Sequence, residues 1–229
     1  MTWLWANFGL IWQLTLDHVA LSVPPIIAGF VLALPIGWLA NRYRALRGLL
    51  LSIGGVLYAI PSLPLFVMMP AILGTRILDS INVVVALSVY ALALMVRVAS
   101  DALAAVHADV LASSTAVGYS AWSRFWRVEL PLAGPVLLAG LRVVSVSTVS
   151  LVSVGAIVGV NSVGFLFLDG LQRDFPEEIL IGIIASLLIA FALDIALVFI
   201  GRVLMPWLPA TRTAQRSRGL TPAATVAQP

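Results

Sequence analysis

The 229-residue chain has no cysteine, and no lysine occurs along it: all thirteen of its basic residues are arginine. Without cysteine there is no thiolate nucleophile, disulfide or cysteine zinc site. Without lysine there is no Walker A loop, whose lysine holds nucleotide phosphates, and no Schiff-base or Ser-Lys chemistry. The chain therefore does not hydrolyse ATP by itself. The two histidines, His18 and His107, lie in separate regions without the spacing of a metal pair. Charge is scarce too. Only 10% of residues are charged against 61% apolar, which excludes a soluble domain of ordinary composition. Neither a bound cofactor nor a metal is expected on this chain, and its arginines form no nucleic-acid footprint.

What the chain has is long apolar runs. Residues 19–40, 48–75, 80–96 and 143–168 contain no Asp, Glu or Arg, and 179–201 is interrupted only by Asp194. Each is long enough, or nearly so, to cross roughly 30 Å of hydrocarbon. Five spans predict an all-α membrane protein with no room for a separate soluble domain. Arg42, Arg44 and Arg47 follow the first span, Arg97, Arg124, Arg127 and Arg142 accompany the connection between the third and fourth, and Arg202, Arg212, Arg216 and Arg218 follow the fifth. Arg76 and Arg173 stand on the other side with Asp17, Asp79, Asp169, Asp174, Glu177 and Glu178. The positive-inside rule then places the N-terminus outside and the C-terminus in the cytoplasm, which an odd number of spans requires. Residues 1–18 lack a basic n-region and a cleavage site, and their Trp3, Trp5 and Trp12 suit an interfacial segment rather than a cleaved signal. Residues 206–229 are expected to be a disordered cytoplasmic tail.

The connection from about residue 100 to 134 is the most informative stretch. Ala102, Leu103, Val106, Val110 and Leu111 recur near helical spacing, Gly118 interrupts, and Trp122, Phe125, Trp126 and Val128 recur until Pro131. Two short amphipathic helices around a glycine hinge are expected, with Pro131 ending the second. Their aromatic face, flanked by Arg124, Arg127 and Glu129, fits either a lipid interface or a groove on a soluble partner.

Gly118, followed after nine intervening residues by Val128-Glu129-Leu130-Pro131, resembles the cytoplasmic coupling loop of ABC importer permeases, although Ala112-Ser113-Ser114 stands where that family often has Glu-Ala-Ala. AIPSLPLF at 59–66, SVYALALMVR at 88–97, VELPLAGPVLLAGLR at 128–142 and GAIVGVNSVG at 155–164 resemble the permeases that import glycine betaine, choline, carnitine and related osmoprotectants. The resemblance implies a type I ABC importer permease fold over 19–205, with five core transmembrane helices and a coupling-helix loop in the bacterial cytoplasmic membrane. It implies a second permease subunit, identical or paralogous, two cytoplasmic ATPase subunits carrying ATP and Mg, and an extracytoplasmic solute-binding protein. The solute would be a compatible solute or, alternatively, another small solute such as an amino acid. In this frame Gly118 turns the chain, Trp122, Phe125 and Trp126 dock on the ATPase or else pack against the permease's own spans or lipid, Arg124, Arg127 and Glu129 fix register, and Leu130 and Pro131 lead into the next span.

Candidates for the translocation route each have a plainer alternative. Tyr58, Pro61, Ser62, Pro64 and Pro70 predict a broken second span, near a gate or merely shaping packing. Tyr58, Phe66 and Tyr90 offer ring faces to a quaternary ammonium, or pack. Ser145, Ser147, Thr148, Ser150 and Ser153 line a route or let helices approach. Asp194 attracts a cationic headgroup, or pairs with Arg202 or solvent. The acidic segment around Arg173 receives the binding protein, or is an ordinary solvated loop. A secondary transporter or channel lacks a visible inverted repeat here, and a membrane enzyme lacks convergent acid, base and nucleophile.

Overall fold

The computed structural model describes residues 2–207, and within them it is helical with no strands. The expected tail falls, from residue 208 onward, outside the described residues. The helices are α1 (Thr2–Ala6), α2 (Phe8–Arg42), α3 (Arg44–Ala59), α4 (Ser62–Leu73), α5 (Ser80–Ala104), α6 (Ala108–Ala116), α7 (Ala121–Arg124), α8 (Leu130–Val154), α9 (Gly164–Gln172) and α10 (Pro176–Leu204). A π-helical turn, Phe125–Glu129, joins α7 to α8, and a 3-10 turn, Gly155–Val158, follows α8. Four helical runs are long and apolar enough to cross a membrane, and the α3–α4 pair makes a fifth if taken as one broken span.

Helix α5 is the axis of the bundle, with half of its apolar window buried, whereas few residues of α10 are fully buried in a single copy. The packing of α2 on α5 rests on small residues. A Cβ added at Gly29 would lie 2.6 Å from Ala91 Cβ, and one at Gly37 would lie 2.6 Å from Ala99 Cβ. Ala33 and Ala40, on the same stripe, have no exposed surface. Backbones this close gain dispersion and lose little side-chain entropy, the usual basis of helix association where lipid removes the hydrophobic drive. One core cluster gathers Ala91, Met95 and Ala99 with Phe125, Leu137 and Val144. A second packs Phe66, Leu87 and Tyr90 around Val152, and a third joins Leu14, Val149 and Leu166 to Ile189.

Several sequence expectations shift. The boundary at residue 18 has no break in the backbone, because α2 is one helix of 35 residues that passes Pro24, Pro25 and Pro35 without interruption. The fourth span is not 143–168: α8 starts at Leu130, ends at Val154, and gives way to the 3-10 turn and the separate α9. Pro131 does not stop a helix: it sits directly after the π turn, inside the continuous run Ala121–Val158, where the wider i to i+5 bonding of that turn accommodates the missing N–H. The connection between α5 and α8 is correspondingly shorter than 100–134. Arg97 lies within α5 and Arg142 within α8, so neither is a loop charge.

Candidate functional site

Gly118 turns the chain between α6 and α7 with φ +96, a left-handed conformation that glycine adopts without a Cβ clash. Ser120 then caps α7, its Oγ accepting from the Ser123 N–H at 3.3 Å. The π turn follows, closed by the Leu130 N–H donating to the Phe125 carbonyl. Ala121–Val158 thus form one continuous helical run, and whatever touches α7 is mechanically part of the same rod as α8.

The two faces of this segment differ. Trp122 is 65% exposed and Trp126 47%, whereas Phe125 is 4% exposed. Phe125 packs edge-on against Trp38 of α2 with ring centroids 5.9 Å apart. It anchors the segment to the bundle rather than offering a docking surface. Glu129 does not stand at a rim either. It is 5% exposed and accepts from Arg124 Nε at 2.8 Å. Arg124 Nη1 also donates to Thr115 Oγ1 at 2.8 Å, tying α7 back to α6. Arg127 is exposed. Leu130 and Pro131 line, with Trp126, Leu204, Met205 and Trp207, an apolar groove of about 410 Å³ against the end of α10. The exposed set that remains is Gly118, Trp122, Trp126 and Arg127.

At the second span the chain bends by 100° between α3 and α4. Ile60 and Pro61 are both extended, and Ser62 begins α4. The Tyr90 hydroxyl donates to the Ile60 carbonyl, supplying a partner to a backbone group at the break. Tyr58 and Tyr90 meet edge-to-face at 5.9 Å. Phe66, 1% exposed, is core and presents no free face. In α8, Ser145 and Thr148 are buried and Ser147 is half-buried, while Ser150 is exposed. Thr148 Oγ1 donates to the Val144 carbonyl of its own helix at 2.8 Å.

Asp194 pairs with neither Arg202 nor solvent alone. Arg142 grips it from α8, Nε to Oδ1 at 2.6 Å and Nη2 to Oδ2 at 2.8 Å. Sequence reading missed Arg142 because it treated an arginine at the edge of an apolar run as a boundary. It also passed over His18, which is fully buried in α2 with Nε2 3.0 Å from the Val149 carbonyl, so that this nitrogen must carry the proton. Ser22 Oγ, one turn on, donates to the backbone carbonyl of His18 at 2.7 Å, a bond that gives no sequence signal of the buried imidazole. Around α9 and α10, Arg173 bridges Asp169 and the fully buried Glu178. Part of the acidic segment is therefore internal structure.

The chain is similar to the glycine betaine/carnitine/choline transport system permease protein OpuCB of Bacillus subtilis (strain 168), with 25% identity over 206 residues, covering 90% of this chain and 94% of that protein. It is 30% identical over 193 residues to the osmoprotectant import permease protein OsmY of Salmonella typhimurium, covering 82% of this chain and 80% of that protein. Its fold matches a subunit of the inward-facing MetNI methionine ABC transporter with a TM-score of 0.69 at 22% identity, covering 88% of this chain and 97% of that one. That likeness bears out the type I ABC importer permease fold. The family model for the binding-protein-dependent transport system inner membrane component matches residues 26–208, and the chain belongs to that family.

Proposed function

We propose that this chain is the permease subunit of an ATP-driven importer for a compatible solute of the glycine betaine, choline or carnitine type. The observation that carries the coupling part is the continuous run from Ala121 to Val158. Its first turns expose Trp122 and Trp126 beside the Gly118 bend, and its later turns form a membrane span. A soluble ATPase that seats on Trp122, Trp126 and Arg127 and moves with its nucleotide state displaces α8 as a rigid lever, a two-state element biased from both ends. Phe125 holds that lever to the bundle through Trp38, and the Arg124–Glu129 pair holds its π turn in shape. ATP and Mg belong to two such ATPase subunits. A second permease subunit, identical or paralogous, completes the route, and an extracytoplasmic binding protein delivers the solute.

The relatives named for osmoprotectant and for glycine betaine, carnitine and choline transport support the solute class. The arginines flanking α2 and α7 support an orientation with the α5–α8 connection in the cytoplasm and the N-terminus outside. Tyr58, Pro61 and Ser62 at the break, with Ser147, are our proposed route residues, and Tyr90, itself buried, supports the break from α5. The test is uptake of radiolabelled glycine betaine, with choline, carnitine and proline as competitors, into proteoliposomes holding the complete complex. Uptake that needs both binding protein and internal ATP is expected. Uptake without ATP would overturn the reading.

A further inference from the structure

The Arg142–Asp194 pair stands in an unusual place. Asp194 is about 15 Å along α10 from Leu204, and Arg142 about 18 Å along α8 from Leu130, at the rise of an α-helix. Both positions fall inside candidate spans. Yet the side chains keep 44% and 23% of their surface open. Exposed residues within about two turns along the two helices are apolar: Val143 and Val146 on α8, and Leu187, Phe191 and Ile195 on α10. Charges at such depth are expensive against lipid and in membrane proteins face protein or a water-filled cavity. An open, paired arginine and aspartate at mid-span is thus less costly against the route than against lipid.

The bonding is also incomplete. A guanidinium has five N–H donors, and Arg142 uses one on Nε and one on Nη2. Both N–H groups of Nη1 remain without a partner among the described residues, and each Asp194 oxygen accepts only one bond. The pair is a fixed dipole with spare capacity at both ends.

We infer that Arg142 and Asp194 form a transit site for zwitterionic solutes. The solute carboxylate lies on the free Nη1 edge of Arg142, and its quaternary ammonium, which has no N–H to donate, lies against Asp194 by charge alone. This rests on the osmoprotectant reading and deepens it by assigning residues to the two ends of the solute. A solute with both charges meets both residues, whereas choline, which lacks a carboxylate, meets Asp194 only. Because Arg142 rides on the same helical run as Trp122 and Trp126, movement at the ATPase surface displaces one half of the site relative to the other, which stays on α10. Solute can thus be released without any change in the protonation of either group.

The test compares maximal uptake of glycine betaine and of choline at saturating binding protein in proteoliposomes of the complete complex, so that the binding protein's own affinity does not enter. Arg142→Gln is expected to lower glycine betaine uptake about tenfold, the loss of a charge-assisted bond, and to change choline uptake less than about twofold. Asp194→Asn is expected to lower both. Arg142→Lys, which keeps the charge, is expected to retain preference for glycine betaine and guards against a folding defect in the glutamine variant. Parallel loss of both solutes in Arg142→Gln, restored by the exchange Arg142→Asp with Asp194→Arg, would make the pair a latch between α8 and α10 and overturn the site. An intact complex that carries choline but no zwitterion would also overturn the site while sparing the permease reading. Uptake of neither solute by the intact complex would overturn the site together with the osmoprotectant reading on which it rests.

Discussion

Arg124 Nε donates to Glu129 Oε1 at 2.8 Å across the π turn, and the carboxylate is all but excluded from solvent. The turn is thus stapled to itself by an ion pair, with Thr115 as a third member. Glu129→Ala is expected to destabilise the detergent-solubilised chain by about 1–3 kcal/mol, because it strands Arg124. Arg124→Ala is expected to be comparable, since it strands the more buried Glu129. Thermal unfolding of each variant reads this directly. Unchanged midpoints in both would remove the pair from the fold's support.

Adjacent aromatics separate folding from assembly. Phe125→Ala is expected to lose about 3–5 kcal/mol, as for a large core ring truncated in place. Trp122→Ala, on the exposed side, is expected to shift stability by no more than about 0.5 kcal/mol and to weaken capture of the ATPase in a pull-down. The reverse pattern would exchange their roles.

At Gly118 nothing lies within 4 Å of an added Cβ, so substitution there acts through backbone strain alone. Gly118→Val is expected to cost about 1–2 kcal/mol locally and to lower solute moved per ATP hydrolysed. Gly118→Asn, which tolerates the left-handed region better, is expected to keep more of it. Equal coupling ratios in the two variants would remove the bend from the mechanism.

Gly29 and Gly37 test the opposite case, steric closeness without unusual dihedrals. A Cβ at Gly29 would lie 2.8 Å from the Ala91 carbonyl carbon, a backbone atom that cannot swing aside. Gly29→Val is therefore expected to force α2 away from α5 and abolish the monodisperse peak in size-exclusion chromatography. The same substitution at Gly55, where no atom lies within 4 Å, is expected to be tolerated.

Tyr90→Phe removes the hydroxyl that serves the Ile60 carbonyl. The expected cost is about 1 kcal/mol, a typical net hydrogen bond. Hydrogen–deuterium exchange should rise in residues around Pro61, while exchange in α2 stays as it is.

What the sequence could and could not reveal follows from which forces act along the chain and which act across it. The break at Pro61 was visible as a cluster of prolines, yet proline content alone misleads. Three prolines lie inside the unbroken α2, where the small-residue stripe clamps the helix to α5 on both sides of Pro35. At Pro61 the neighbouring Ile60 is extended as well, and a tyrosine from another helix takes up its carbonyl. The hinge at Gly118 was legible because it is local. The ends of the fourth span were not, because Arg142 looks like a boundary charge until Asp194, 52 residues away, neutralises it. Glu129 reads as a rim residue for a related reason: its charge advertises exposure, while Arg124, across the π turn, takes it up and leaves it buried. Phe125, Trp122 and Trp126 share a composition class, and only the placement of Trp38 on α2 separates the core ring from the other two.

The π turn at Phe125–Glu129 has one more consequence. A π segment holds one residue more than the α-helical turn it replaces, and each residue advances an α-helix by about 100°. The turn takes in that extra residue by widening, so the helix on either side of it stays nearly in phase. Deleting a single residue there would restore ordinary pitch and leave both the lipid-facing pattern of α8 and the aim of the tryptophan-bearing tip close to what they are. The stretch between the exposed tip and the span can therefore gain or lose a residue without redesign of either part.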